Sequence, residues 1–101
     1  MVRHIVFFRL KDEAHGHNKL YNALHIKHGL EALREKIPFV RYAHVGINIP
    51  NKPRTNYDIA LVCDFDNFDD LAAYHVHPEH LKVSEFIAEA KSDRSAVDYE
   101  L

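Results

Sequence analysis

Residues Val2–Leu10, VRHIVFFRL, read as a strand that is apolar on both faces. Successive strand side chains point to opposite sides. Val2, His4, Val6, Phe8 and Leu10 therefore share one face, while Ile5 and Phe7 lie between Arg3 and Arg9 on the other. A sheet built on such a strand needs a cover on each side, because an apolar sheet face is too large to leave in water. That requirement narrows the choice of fold more than any other feature of the chain.

The segments that follow supply one of the two covers. KDEAHGHN is a polar connection containing Gly16, and a helix is predicted from Asn18 to Lys36. There Ala23, Ile26, Leu30, Leu33 and Ile37 form one stripe at alternating three- and four-residue steps. Gly29 weakens that helix slightly, and Pro38 stops it. A second strand is predicted over Phe39–Asn48, with Val45 and Ile47 on one side and Tyr42, His44 and Gly46 on the other. The loop IPNKPRTN carries two prolines that would interrupt a sheet. A third strand follows over Tyr57–Phe65.

Asn67 is placed to cap the next helix, with Asp69 and Asp70 in its first turn, where carboxylates suit the helix dipole. Pro78 disfavours helical geometry at His77 and suits the first position of a new helix. The helix is therefore expected to break there and restart as PEHLKVSEFIAEA, with His80, Val83, Ile87 and Ala90 along one stripe. A last strand over Ser95–Leu101 alternates Val97, Tyr99 and Leu101. The order β-α-β-β-α-β predicts an α+β, ferredoxin-like domain over residues 1–101, one antiparallel sheet with its helices on one face. The simplest cover for the other face is the same sheet of a second copy under two-fold symmetry, two sheets closing into a dimeric α+β barrel.

Composition excludes several classes. The formal net charge of −2 offers no electrostatic footprint for nucleic acid. No apolar run is long enough to cross a bilayer, and the N-terminus lacks the pattern of a signal peptide. Cys63 is the one cysteine and has no disulfide partner within the chain, so a cytoplasmic setting is expected. On a strand face with Leu61 and Phe65 it reads as a buried structural thiol.

Histidine is the unusual component, at nine residues. AYHVHPEH places three of them with a tyrosine and a glutamate around Pro78. His77 reads as a turn or capping residue. His75 reads as exposed or packed on the first helix. His80 shares its stripe with Val83 and Ile87 and should face the sheet, toward His4 on the first strand. Two readings stand side by side: satisfied core histidines, or a neutral imidazole doing acid–base work with a phenol such as Tyr74 stabilising a developing enolate. The proline break removes the i, i+4 presentation of an H-E-x-x-H metal site, so no metal site is expected. HGHN and HIKH read as loop and exposed-helix residues.

The segments HIVFFRLKD, IPFV, VGIN, YDIALVCDFDNFDDLAAYHVHPEHLKVSEFI and RSAVDYEL resemble the stress-responsive dimeric α/β-barrel family, and YHVHPEH is the most specific of them. The resemblance spans nearly the whole chain and implies a homodimeric barrel. One branch, the plant polyketide cyclase that forms olivetolic acid, closes a polyketide chain by aldol chemistry without metal or organic cofactor. Its catalytic tyrosine and histidine lie in a DYIIHPAH stretch that matches Tyr74 and His80. A pocket histidine on its first strand matches His4, and a further one falls at Asp58. The resemblance thus implies His80 and Tyr74 as a catalytic pair, with His4 and Asp58 binding substrate. Two functions follow as expectations: a cofactor-free acid–base enzyme acting on a small, mostly apolar carbonyl compound, or a non-catalytic ligand-binding or stress-protective homodimer.

Overall fold

The computed structural model describes residues 1–101. Strand β1 (Val2–Leu10) lies inside a four-stranded antiparallel sheet with β4 (Tyr42–Ile47), β5 (Ile59–Phe65) and β6 (Lys91–Glu100), in the order β4-β5-β1-β6. A hairpin of β2 (Glu13–Ala14) and β3 (His17–Asn18) precedes helix α1 (Lys19–Lys36). Helices α2 (Phe68–Val76) and α3 (Pro78–Ala90) connect β5 to β6. With β5 and β1 at the centre, β4 and β6 at the edges, and the helices on one face only, this is the ferredoxin-like α+β fold.

The alternation of β1 decides the layers. Val2, Val6, Phe8 and Leu10 are buried against the helices, together with Val45 of β4 and Ile59, Leu61, Cys63 and Phe65 of β5. Ala23, Ile26, Leu30 and Leu33 of α1 meet them, as do Leu71 and Tyr74 of α2 and Ile87 and Ala90 of α3. Each fully buried aliphatic side chain contributes about 1.5–3 kcal/mol. Gly29 has a packing reason: a Cβ there would stand 3.3 Å from Val83 Cγ1, where α1 and α3 touch.

Local chemistry sets the ends of the helices. The Asn18 side chain accepts the Tyr21 N–H and that of Asn67 accepts the Asp70 N–H. His77 Nδ1 accepts the Glu79 N–H, so His77 caps α3 while Pro78 opens it. On the edge strand β4, Lys27 Nζ donates to the Val45 carbonyl (2.6 Å) and Glu31 accepts the Val45 N–H (2.9 Å). Side chains from α1 thus occupy backbone groups that an edge would leave open to another strand.

Four boundaries differ from the sequence expectation. The polar connection after β1 is a β-hairpin, with His15 (φ 56°) and Gly16 (φ 75°) in the two-residue turn that positive φ values allow. The second strand begins at Tyr42 rather than Phe39, because the Val40 N–H turns back to the Ile37 carbonyl. The third begins at Ile59 rather than Tyr57, since the Asp58 backbone bonds irregularly to Phe8 and Asn48. The last begins at Lys91 rather than Ser95. Its first four residues are polar, yet they follow β1 through a bulge at Arg9/Leu10, so backbone pairing extends beyond the apolar pattern.

The sheet face opposite the helices is open. Ile5, Phe7, Val62, Val97 and Tyr99 lie on it by register, and Phe7 and Val97 are 37% and 50% exposed. Arg3 holds Asp64 there through two bonds of 2.8 and 2.9 Å.

Candidate active site

The α2–α3 break folds the HVHPEH segment back over the sheet. His80, one turn into α3, thereby approaches Tyr74 and His75 at the end of α2, with ring centroids 4.5 and 5.7 Å away. His4 rises from the middle of β1 to meet His75 edge-on at 5.0 Å. A cavity of about 240 Å³ opens between sheet and α3. His4, His75 and His80 line it, with Ser84, Lys91 and Arg94 among the other wall residues.

The protonation of His80 follows from its neighbours. Its Nδ1 lies 3.2 Å from the His75 carbonyl, which can only accept, so Nδ1 carries the proton and Nε2 keeps its lone pair. Burial, followed by the adjacent His75, pushes the His80 pKa down to about 4, although the bond to the carbonyl acts in the opposite sense. Burial likewise lowers that of His75, with His4 and Arg94 adding to the effect. His80 is therefore a neutral imidazole near pH 7.

His4 is 3% exposed and donates from Nδ1 to Asp98 on β6, its direct cross-strand partner. Residue types and spacing in the sequence did not single out Asp98. The signal was present in the last strand: if Val97, Tyr99 and Leu101 share a face, Asp98 must point the other way. The pairing with His4 needed the register of β1 against β6.

Two expectations require correction. Tyr74 packs against His80 but is 1% exposed and absent from the cavity wall; its ring also contacts Phe65 at 5.0 Å. Burial raises its pKa well above that of an ordinary phenol, with the neighbouring Cys63 acting in the same direction. The α2 stripe turns the ring inward, into the core, so Tyr74 supports His80 from behind. Asp58 does not join the histidines at all. It precedes β5 and lies five residue steps, about 17 Å at about 3.4 Å per residue, from Cys63, the register partner of His4. Its Oδ2 accepts the Leu10 N–H (2.8 Å) and its Oδ1 lies 3.5 Å from Lys19 Nζ. Asp58 instead lies on the walls of two open hollows of about 540 and 590 Å³ beneath and beside the 48–57 loop.

His75 reverses the reading in which it is exposed or rests on α1: it packs on β1 and completes the cluster. Cys63 is fully buried, and burial pushes its thiol up to about 12, which leaves it unreactive near neutrality. No group of three or more His, Cys, Asp or Glu side chains is arranged to hold a metal ion. His15, His17 and His25 stack on Phe86 and Tyr21 outside the cavity.

The family model of the stress-responsive A/B barrel domain matches residues 2–101. The chain belongs to that family, known as Dabb. Its fold is similar to that of a dimeric ferredoxin-like protein of unknown function from Bacteroides fragilis, at 41% identity and a TM-score of 0.87, covering 99% of this chain and 95% of that one. A dimeric ferredoxin-like protein of unknown function from Thermobifida fusca is 31% identical with a TM-score of 0.82, covering 99% and 90%. A hydroxynitrile lyase from Passiflora edulis has the same fold at 18% identity and a TM-score of 0.81, covering 99% and 92%. No curated protein matches the chain. No helix of this Dabb chain is long and apolar enough to cross a membrane.

Proposed function

We propose that this Dabb protein is a homodimer closed through its open sheet faces, and that each chain performs cofactor-free acid–base chemistry on a small carbonyl compound in the cavity between β1 and α3. The observation that carries the chemistry is His80, held neutral on a cavity wall with Nδ1 donating to the His75 carbonyl. Nε2 is then free to take a proton from the carbon beside a carbonyl. The C–H bonding electrons pass into an enolate, and the proton can return from the same imidazole. Asp98 fixes the His4 ring in one orientation on the opposite wall. General acid–base catalysis of this kind contributes roughly 10²–10⁴-fold, enough for an easily enolised substrate. The dimer reading rests on the apolar open face and on the relatives described as dimers. A cytoplasmic setting suits the lone buried cysteine.

The second reading is a ligand-binding protein without turnover. The burial of Tyr74 favours it, since no phenol reaches the cavity to stabilise an enolate. Deuterium incorporation at C2 of acetoacetate in D₂O, followed by proton NMR, separates the two. The enzyme reading expects exchange above the buffer rate in the wild type and its loss in His80→Asn. Shift changes around the cavity without accelerated exchange would replace it with the binding reading.

A further inference from the structure

The charge of the cavity wall contradicts the mostly apolar ligand expected from the sequence. Two cations, Lys91 and Arg94, line it, and no carboxylate does. Neither side chain is ion-paired within the chain, whereas Arg3, Lys27 and Arg41 all have carboxylate partners. The acids near them are engaged elsewhere. Asp98 holds His4, Asp93 accepts the Tyr57 hydroxyl and the Arg94 backbone N–H, and Glu89 lies 3.1 Å from His15 Nδ1.

Strand register puts both cations on the helix-facing side. Arg94 pairs with Phe8 and Lys91 with Leu10, two and three β1 side chains further along the face that carries His4. The wall therefore runs from imidazoles at one end to unpartnered cations at the other. A guanidinium presents a planar fork that matches a carboxylate. At about 240 Å³ the cavity lies below the range of about 300–1,000 Å³ usual for drug-sized ligands.

We infer that the ligand of this cavity is a short-chain oxo acid, its carboxylate held by Arg94 and Lys91 and its carbonyl end placed among His4, His75 and His80. This rests on reading the cavity as the ligand site and goes beyond it in naming the substrate class. A bound carboxylate would also neutralise Arg94, one of the charges that lower the basicity of His80, so binding the acid would make the imidazole a better base.

The test compares acetoacetate with methyl acetoacetate, which keeps the carbonyl and lacks the charge. Dissociation constants come from amide NMR shifts, and exchange at C2 is followed separately. We expect the acid to bind at least about tenfold more tightly than the ester, the scale of one charge-assisted hydrogen bond. Arg94→Gln, at an exposed position that should fold normally, should reduce that preference about tenfold; Arg41→Gln, whose partner is Asp66 away from the cavity, should preserve it. Equal binding of acid and ester, or a preference untouched by Arg94→Gln, would overturn the oxo-acid assignment while leaving acid–base chemistry open. Arg94-dependent binding with no His80-dependent exchange would retain the anion site and overturn the chemistry. Failure to bind either probe would overturn both.

Discussion

Lowering the pH should destabilise this protein through His80, and the size of the effect can be worked from its surroundings. Burial and the adjacent His75 hold its folded pKa at about 4, against the ordinary histidine value of 6.5. Between those values the unfolded chain binds a proton that the folded chain refuses, so stability is complete above about 6.5 and falls as pH drops toward about 4. From about pH 7.5 to about pH 4.5 the loss from this one group is about 2.5 kcal/mol as an upper bound. The ring is only partly buried, and solvent screening reduces the expected loss to about 1.5 kcal/mol. His80→Asn keeps a donor for the His75 carbonyl and removes the titration. Urea denaturation of both proteins at each pH, at one protein concentration, isolates the effect as a double difference. Carboxylates and His75 titrate in both proteins and cancel to first order. The wild type should lose about 1.5 kcal/mol more than His80→Asn on acidification. Parallel losses, or an NMR titration midpoint for His80 at or above 6.5, would refute the claim that the cavity holds this imidazole neutral.

Three further outcomes are expected. In the proposed dimer, Ile5→Asp would place an unpaired charge between the two sheets, which costs several kcal/mol; sedimentation at micromolar concentration should show a dimer for the wild type and monomer or misfolded material for the variant. Tyr74→Phe keeps the ring that supports His80 and should retain most of the C2 exchange, whereas a roughly hundredfold loss, the scale of a general acid, would show that the phenol reaches the substrate. Glu31→Ala leaves the Val45 N–H on the β4 edge without its side-chain acceptor and should cost about 1–2 kcal/mol in urea denaturation.

The architecture was legible in the sequence because it follows from local periodicity. The period-two pattern of β1 and the stripe Ala23, Ile26, Leu30, Leu33 dictate which faces meet, and Asn18, Asn67 and Pro78 mark helix ends through bonds made within a few residues. For the same reason His4 and His80 could be assigned to facing surfaces before any contact was known. What periodicity does not contain is the register and depth of packing. Asp98 meets His4 only because β6 runs antiparallel beside β1 from Leu10↔Lys91 to Val2↔Glu100, a pairing between chain ends that no local pattern specifies. Tyr74 sits on the correct side of α2 yet lies behind the cavity wall, and depth depends on how closely α2 settles onto Phe65 and Cys63. The same long-range pairing turns Arg94 and Lys91, polar residues at the unremarkable start of a strand, into the cationic end of a cavity. Short-range interactions along the chain determined the elements; the composition of the site was decided by which distant backbone segments share hydrogen bonds.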